Sequence, residues 1–498
     1  MTETSAVRPI PLWLALLPLL FLIAMLASSV VLFGDDASYG PNQIALMVGA
    51  GVAGVIGLFL GFSVKDIEEA MVQGILLALK ACLILLAVGS LIGSWMLAGT
   101  APTVIYFGLN ILDPSWFYPA TLVICALVAL SIGSSWTTAG TIGLALVGVA
   151  QIMEMSLPIT AGAVISGAYF GDKMSPLSDT TNLSPAMVGV DLFVHIRHMA
   201  WTTVPSFLIA FVLFFVIGWN SEAGQVSSGT IDDALALLDA NYTIGWPTLI
   251  PLVILLAMAM RKISALTTIA VGAVAGCVVA LIWQPALVQS FGGVPGQFEG
   301  VSAAVRALFM ALANGFSIET GSESLDALLS RGGVVSMLNT VWLVFSAMCF
   351  GGVMEHTGLL KRIVNSLLKG VKGTASLITT TVLTCIGMNV IAADQFIAIV
   401  LPGRMYRAEF KRRGLAPQNL SRTLEDAGTM TSSLVPWNTC GAFMAATLGV
   451  PTLAYAPYAF VNLLNPVIAI IYGITNFRIV PLEEEDEPGG EPAREPVA

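Results

Sequence analysis

The feature that most constrains this chain is a series of apolar stretches of about 20 residues that recur along almost its whole length. Each stretch, as a helix, is long enough to cross the ~30 Å hydrocarbon core of a bilayer. Only 10% of the 498 residues are charged, whereas soluble domains have about 25%. Alternating ten-residue segments typical of a β-barrel are not evident. These features predict an all-α polytopic membrane protein that is embedded in the lipid bilayer.

The net charge and the cysteines argue against a nucleic-acid partner and a bound cofactor. The net charge of −10 comes partly from the acidic run at 483–487, so no nucleic-acid partner is expected. The six cysteines stand singly within apolar runs without metal-ligand spacing, which favours a role as small core residues. No cofactor is therefore expected.

Basic residues in short loops mark the cytoplasmic side of a membrane protein. Arg8 precedes the first span, and residues 219–245 contain acidic residues but no Lys or Arg. The charges predict a protein of the bacterial inner membrane with both termini in the cytoplasm. The predicted order is a cytoplasmic N-terminus at 1–9, a first transmembrane repeat at 10–218, an extracytoplasmic acidic loop at 219–245, a second repeat at 246–476 and an acidic, disordered cytoplasmic tail at 477–498.

Residues 375–401 form an apolar run with basic residues at both ends. Lys369 and Lys372 precede it, and Arg404 and Arg407 follow it. Because one simple crossing cannot have both ends in the cytoplasm, we predict a re-entrant hairpin with its turn near 389–394. Non-helical backbone at membrane depth is tolerated only where protein or a water-filled cavity satisfies it, so such a turn marks a pathway.

Polar interruptions of the apolar runs recur at a nearly constant spacing, which indicates an internal duplication. The paired segments are 93–99 with 352–358, 133–138 with 392–395, and 174–178 with 434–438, at shifts of 259, 259 and 260 residues. Acidic residues bracket the first hairpin, so it enters from the side opposite to the second. We therefore expect two inverted repeats, about ten crossings plus two re-entrant hairpins, and broken helices at mid-membrane.

The densest polar cluster is at 171–182, inside the apolar crossing 157–190. A charge at the bilayer centre costs about 2.5–3.5 kcal/mol even on the lenient insertion scale, so Asp172, Lys173 and Asp179 need partners or a function. One interpretation is an Asp172–Lys173 pair that holds two half-helices together. The other is a cation and proton site in backbone that Pro176 unwinds.

Carboxylates, hydroxyls and amides at membrane depth are the oxygen ligands that hard cations prefer. A carboxylate there can bind either a proton or a cation, and this competition is the simplest mechanism of exchange. Asp179 and Asp394, one in each half, are the leading candidates for binding Na⁺ and H⁺. The other candidates are Asp172, Ser135, Thr137, Ser178, Thr180, Asn182, Asn389 and Asn438. For Asp394, capping of a half-helix is the alternative.

His195 and His198 flank Arg197 at a predicted cytoplasmic loop. Imidazole titrates near neutrality, so the two histidines are candidates for pH sensing. Anchoring of the loop by positive charge is the alternative.

Several motifs resemble the NhaC family of Na⁺/H⁺ antiporters across both halves of the chain. They are GDKMSPLSDTTNLSP at 171–185, DLFVHIRH at 191–198, ADQ at 393–395 with IVLPGRM at 399–405, and EDAG at 425–428 with VPWNTCG at 435–441. The resemblance implies a secondary transporter that exchanges cytoplasmic Na⁺ for external H⁺ by alternating access. Thr137 stands where the family's first hairpin usually has glycine.

The family also includes exchangers that couple Na⁺ to malate and lactate. Antiport of a small organic anion or amine therefore remains an alternative, as does a channel or a sensor without transport. The chain has no nucleotide-binding loop, Ser–His dyad or zinc motif, so neither a pump nor an enzyme is expected. A homodimer is left open.

Overall fold

The computed structural model describes residues 10–220 and 228–482. The predicted N-terminal segment 1–9, residues 221–227 of the acidic loop and the tail from 483 onward lie outside the described residues. Within the described ranges there is no β-strand, and the β-type pairing consists of isolated bridges at Val294–Phe298 and Leu415–Pro481. The all-α prediction is confirmed.

The helices divide into two halves joined by one connecting helix. The first half contains α1 (Leu12–Phe33), α2 (Pro41–Leu60), α3 (Val64–Leu97), α4 (Thr100–Ile111), α5 (Phe117–Ile132), α6 (Ser135–Thr138), α7 (Leu144–Ile152), α8 (Leu157–Met174), α9 (Asp179–Val188) and α10 (Leu192–Asn220). The connecting helix is α11 (Ser228–Asn241).

The second half contains α12 (Ile250–Met260), α13 (Ala265–Trp283), α14 (Pro285–Gly292), α15 (Val301–Ala313), α16 (Glu323–Leu329), α17 (Val335–His356), α18 (Leu359–Leu368), α19 (Thr374–Ile391), α20 (Gln395–Arg412), α21 (Pro417–Leu424), α22 (Met430–Ser432), α23 (Thr439–Leu448), α24 (Thr452–Tyr455) and α25 (Phe460–Thr475). π-Helical turns join α6 to α7 at Ala139–Gly143 and α21 to α22 at Glu425–Thr429.

Nine helices in the described ranges are long and apolar enough to cross a membrane, and there are up to eleven spans if each of two sharply bent pairs counts as one. This count includes arms of the two hairpins, such as Ser135–Ile152 and Thr374–Ile391, so the ten crossings apart from the hairpins stay a prediction. The spans differ in how much of their surface other helices cover. In the most apolar window of α1, 22% of residues are buried, whereas in Ser135–Ile152 the share is 83%. The return arm of the first hairpin therefore lies inside the protein, while α1 presents much of its surface to lipid.

The helices confirm the internal duplication and refine its spacing. Segment 135–152 and α20 begin and end 260 residues apart, and so do α9 and α23. Left-handed Gly189 and Gly449 end the latter two helices at the same shift. At the hairpin turns, left-handed Gly133 corresponds to left-handed Ala393. The shift there is 260 residues and not 259, so Ser134 is the counterpart of Asp394.

Equivalent helices of the two halves run in opposite directions. The amide of Gly333, just before α17, donates to the carbonyl of Gly89 in the later part of α3 at 2.7 Å. The early part of α3 instead meets the end of α17, where a Cβ on Gly352 would lie 3.1 Å from the Cα of Gly74. Helices α3 and α17 therefore pack antiparallel. The repeats are inverted, as predicted.

Both hairpins bring their two ends together. The guanidinium of Arg413 donates to the carbonyl of Val371 at 3.0 Å, and the hydroxyls of Thr384 and Tyr406 are 2.6 Å apart between α19 and α20. In the first hairpin, the amide of Ser156 donates to the hydroxyl of Tyr118 at 3.0 Å. Residues 375–401 therefore turn back on themselves, as the paired basic ends indicated.

The acidic segment between the halves contains a helix where the sequence analysis expected only a loop. Its apolar residues Ile231, Ala234, Leu235 and Leu238 follow the spacing of one helix face. Leu238 is fully buried. Within the described part of 219–245, residues Ser228–Asn241 therefore form a helix and not a loop.

Candidate ion-binding site

The turn of the first hairpin is built by Gly133 and Ser134. Gly133 adopts φ 74°, which favours glycine, and a Cβ at this position would lie 2.6 Å from Cβ of Leu177. The hydroxyl of Ser134 caps α6 by accepting from the amide of Thr137 at 3.2 Å. The turn therefore rests against the break in the following crossing, between α8 and α9.

The turn of the second hairpin has the same shape with different side chains. Ala393 adopts φ 56° without being glycine, a strained conformation that costs about 1–3 kcal/mol and concentrates at functional sites. Oδ1 of Asp394 accepts from the amides of Phe396 and Ile397 at 2.9 and 3.1 Å, and Oδ2 accepts from the hydroxyl of Thr439 at 3.4 Å. Asp394 therefore caps α20, and one carboxylate oxygen keeps only a long contact.

Asp172 joins the first turn from the end of α8. Its Oδ2 accepts from the amide and the hydroxyl of Ser135 at 3.0 and 2.7 Å, and the residue is buried. The other half has the corresponding contact, in which the hydroxyl of Ser432 donates to Oε1 of Gln395 at 3.3 Å. In each half, the broken crossing therefore contacts the turn of its own hairpin through a polar pair, and the two pairs occupy equivalent positions in the repeats.

One cavity of about 650 Å³ is lined by residues from the helix breaks of both halves. Of the predicted site residues, it is lined by Ser135, Thr137, Asp172, Ser178, Asp179, Thr180, Asn182 and Asp394, and Thr439 adds a hydroxyl that the sequence analysis did not single out. Lys80 of α3 and Lys262, between α12 and α13, also line it. The tertiary structure therefore brings three carboxylates together in one cavity, two from the first half and one from the second.

The cavity residues differ in exposure and in partners. Asp179 begins α9 and is exposed. The side-chain amide of Asn182 donates to the carbonyl of Ser178 at 2.6 Å, and the hydroxyls of Ser178 and Thr180 are 3.1 Å apart. Thr137 is helical, so the substitution for glycine leaves the turn unstrained, and its hydroxyl is 3.0 Å from that of Ser134.

Asn389 and Asn438 lie outside the residues that line the cavity. The side-chain amide of Asn438 donates to both oxygens of Asn389 at 3.1 Å. Asn389 in turn donates to the carbonyl of Gly428 at 2.7 Å and to the hydroxyl of Thr431 at 3.0 Å. These contacts fasten the second hairpin to the second broken crossing, and cation binding by the two asparagines remains a prediction.

Lys173 does not pair with Asp172, which was one of the two interpretations of the polar cluster. Its ammonium group contacts the carboxylate of Asp426 and also donates to Oδ1 of Asn465 at 2.7 Å. The hydroxyl of Thr202 donates to the same oxygen of Asp426 at 2.7 Å. The proposed Asp172–Lys173 pair is therefore wrong. Instead, one fully buried ion pair joins the two halves.

Two more buried charges surround that pair, and the sequence analysis gave neither of them a site role. Nε of Arg422 lies 4.0 Å from Oδ2 of Asp426, and Glu425 accepts from the hydroxyl of Ser184. All four charged side chains are 0% exposed. The signal was present as charged residues inside apolar runs, which are costly unless they are paired or functional.

His195 and His198 are buried beside this charge cluster and not on the surface. Nδ1 of His195 is 2.9 Å from the hydroxyl of Ser421, because the first turns of α10 pack against α21. Nε2 of each ring has no partner among the described residues. A pH-sensing role remains a prediction.

Comparison with known proteins shows the family of this chain. Residues 167–477 match the profile of the Na⁺/H⁺ antiporter family. The chain belongs to this family. The matched residues include Asp172, Asp394 and the Lys173–Asp426 pair, while the first hairpin turn lies before them.

Relatives of this antiporter are named for three different sets of transported substrates. It is 41% identical to the Na⁺/H⁺ antiporter NhaC of Alkalihalophilus pseudofirmus, over 86% of this chain and 89% of that one. It is 36% identical to a malate-2H⁺/Na⁺-lactate antiporter of Bacillus subtilis, over 87% and 89%. It is 35% identical to the arginine/ornithine antiporter ArcD of Halobacterium salinarum, over 95% and 94%.

Proposed function

We propose that this protein exchanges Na⁺ for H⁺ by alternating access, with Asp172 and Asp394 as the groups that bind either ion. The observation that carries the proposal is the convergence of these two carboxylates, one from each inverted half, on a single cavity at two helix breaks. The NhaC relative at 41% identity supports this choice of ions.

The chemistry follows from competition at the carboxylates. Backbone amides hold Oδ1 of Asp394, and Ser135 holds Oδ2 of Asp172, so the binding groups are fixed in place before an ion arrives. Hydroxyls of Ser178, Thr180 and Thr439 supply neutral oxygen ligands. A carboxylate that accepts a proton loses its attraction for Na⁺, so each carboxylate binds only one of the two ions at a time. The exposed Asp179 adds negative charge that attracts cations into the cavity.

The side of the membrane toward which the cavity opens is inferred from a basic residue in its lining. Lys262 lines the cavity and belongs to a loop that the charge rule places in the cytoplasm. We propose that this conformation is open toward the cytoplasm of a bacterial inner-membrane protein. Sodium enters there, and a proton from outside replaces it after the conformational change.

The direct test is proton movement in proteoliposomes that contain a pH-sensitive dye, started by adding Na⁺. Asp394→Asn and Asp172→Asn remove the negative charge but keep side-chain size, so we expect each to reduce Na⁺-driven proton movement to the level of protein-free liposomes. Asp113→Asn is the matched control, because Asp113 is exposed at the base of the first hairpin, where it accepts from the amide and the hydroxyl of Ser115, and it does not line the cavity. Wild-type exchange by both cavity variants would move the site elsewhere.

A second candidate is exchange of a small organic anion or amine. The cavity of about 650 Å³ is large for one bare cation and falls in the range of about 300–1,000 Å³ that holds small molecules. The malate/lactate and arginine/ornithine relatives agree with this candidate. Flux of labelled malate, lactate or arginine separates the two functions, since simple Na⁺/H⁺ exchange proceeds without any of them.

A further inference from the structure

A second cavity, of about 290 Å³, lies at the other end of the helices that surround the ion cavity. Its polar lining comes from segments to which the sequence analysis assigned no role, including Asn314, Ser330, Arg331 and Ser336. Thr447, near the end of α23, also faces it. None of these side chains takes part in the exchange site described above.

Arg331 gives this cavity a positive charge without a matching negative one. Its guanidinium donates to Oε1 of Gln151 at 3.3 Å, and the described residues place no carboxylate within 4.0 Å of it. Its Nη1 also lies 3.2 Å from where a Cβ of Gly449 would stand. A charge withdrawn from water needs a counter-charge or strong hydrogen bonds. Much of the guanidinium's hydrogen-bonding capacity remains for a ligand.

Thr447 is a second, independent sign of an absent partner. The residue is 2% exposed, and its hydroxyl has no hydrogen-bond partner among the described residues. Buried hydroxyls nearly always have a partner, so an orphaned one at a cavity wall indicates a molecule that the cavity holds. A hydroxyl beside a guanidinium suits an oxygen of an anion.

We propose that this cavity is a binding site for a small carboxylate, held by Arg331 and Thr447. Guanidinium binds carboxylate through two parallel hydrogen bonds. A volume of about 290 Å³ is close to the lower end of the range of small-molecule pockets, about 300–1,000 Å³, which suits a carboxylate of three or four carbons. The side-chain amide of Asn314 and the hydroxyl of Ser336 provide partners for further polar groups of the ligand.

The carboxylate site lies in line with the ion cavity. Helix α3 lines one cavity at Ile84 and the other at Ile92, and α23 does so at Thr439 and Thr447. Eight residues of helix correspond to about 12 Å. The stacked rings of Trp136 and Phe443, 4.1 Å apart, lie along this interval. The two sites are therefore separate but adjacent along the same two helices.

The test is thermal stability of the purified full-length protein in Na⁺-free buffer, titrated with the choline salts of lactate and malate. A ligand that binds the folded state raises Tm in a saturable way. We expect lactate or malate to do so, and lactamide, which has the same shape as lactate without the charge, to have no effect. Equal effects of lactate and lactamide, or no saturable effect of either acid, would overturn the proposal.

Variants assign the effect to the cavity. We expect Arg331→Gln to weaken carboxylate binding at least about 30-fold, because it removes the charged partner, and Thr447→Val to weaken it about 10-fold. Arg306→Gln is the control, since Arg306 bonds the carbonyl of Gly292 and does not line the cavity. Unchanged binding in both cavity variants contradicts the proposal.

Two further measurements keep the outcome decisive. If Arg331→Gln does not fold, Thr447→Val, which conserves size, still decides whether the ligand sits in this cavity. Asp394→Asn should bind carboxylate as the wild type does, so a failure of Na⁺/H⁺ exchange and a failure of carboxylate binding are distinguishable. Chloride that competes fully with both acids at equal concentration would contradict a site built for carboxylate.

Discussion

Asp172 and Lys173 are neighbours in the chain but contact different parts of the molecule. Asp172 turns to the first hairpin and the ion cavity, while Lys173 reaches Asp426 in the other half. Adjacent positions on a helix point about 100° apart, so one residue can serve the site while the next serves the interface between the halves. The two charges therefore have separate roles.

The buried pair can be tested at the level of single residues. Asp426→Asn leaves the ammonium of Lys173 buried without its counter-charge, so we expect a loss of about 3–5 kcal/mol in unfolding free energy. A thermal-shift measurement in detergent would record this as a clear fall in Tm. Replacing both residues with Lys173→Met and Asp426→Leu should recover part of the loss, since the buried Arg422 still loses Asp426.

The surface pair of Glu409 and Arg412 is the matched control. The side chain of Arg412 is 70% exposed, and exposed ion pairs contribute little to stability because water screens them. Arg412→Gln removes this exposed contact and keeps the contact of Glu409 with Arg413, so it should leave Tm nearly unchanged. A larger effect from Arg412→Gln than from Asp426→Asn would contradict the role assigned to the buried pair.

At the scale of helices, the two halves approach closely because glycines face each other. A Cβ on Gly74 of α3 would lie 2.2 Å from the carbonyl oxygen of Met348 in α17. This carbonyl belongs to helix backbone and has little freedom to move. The contact between α3 and α17 therefore depends on the absence of a side chain.

Gly74→Ala should separate these helices and destabilise the protein by about 1–3 kcal/mol, as overpacking does in other cores. The control is Gly51→Ala in α2, where an added Cβ meets no atom within 4 Å. We expect lower Tm and a smaller yield of monodisperse protein for Gly74→Ala only. Equal behaviour of the two variants would mean that α3 and α17 do not pack as described.

At the scale of the whole molecule, inversion predicts that the two hairpins enter from opposite sides of the membrane. Asp113 stands at the base of the first hairpin and Lys372 at the base of the second. The six native cysteines are buried, so they should react slowly with a membrane-impermeant thiol reagent. Asp113→Cys in intact cells should react from outside.

Lys372→Cys should react only in inside-out vesicles. Each variant serves as the control for the other, because the two cysteines should be labelled in opposite preparations under the same conditions. Labelling of both from the same side would contradict the inverted arrangement, even though the 260-residue shift would remain.

Much of this architecture was determined by the sequence alone. Apolar run lengths specify helices because lipid offers the backbone no hydrogen-bond partners. The basic residues on both sides of 375–401 specified the second hairpin, since positive charge stays on one side of the membrane. The polar breaks at 133–138 and 171–182 contain eight Asp, Asn, Ser and Thr residues that line the cavity, and they could be recognised because charge at membrane depth is too costly to occur without a reason.

Only the tertiary structure decided which polar groups meet. A pair of Lys173 with Asp172 was one of two interpretations of the polar cluster, yet the partner of Lys173 is Asp426, which lies 253 residues away. Asn389 and Asn438 have the right chemistry for cation ligands but bond each other behind the cavity. Arg331 lies in a segment that no motif marked. Such pairings depend on how helices from the two halves are rotated against each other, and that rotation follows from side-chain packing across the whole molecule.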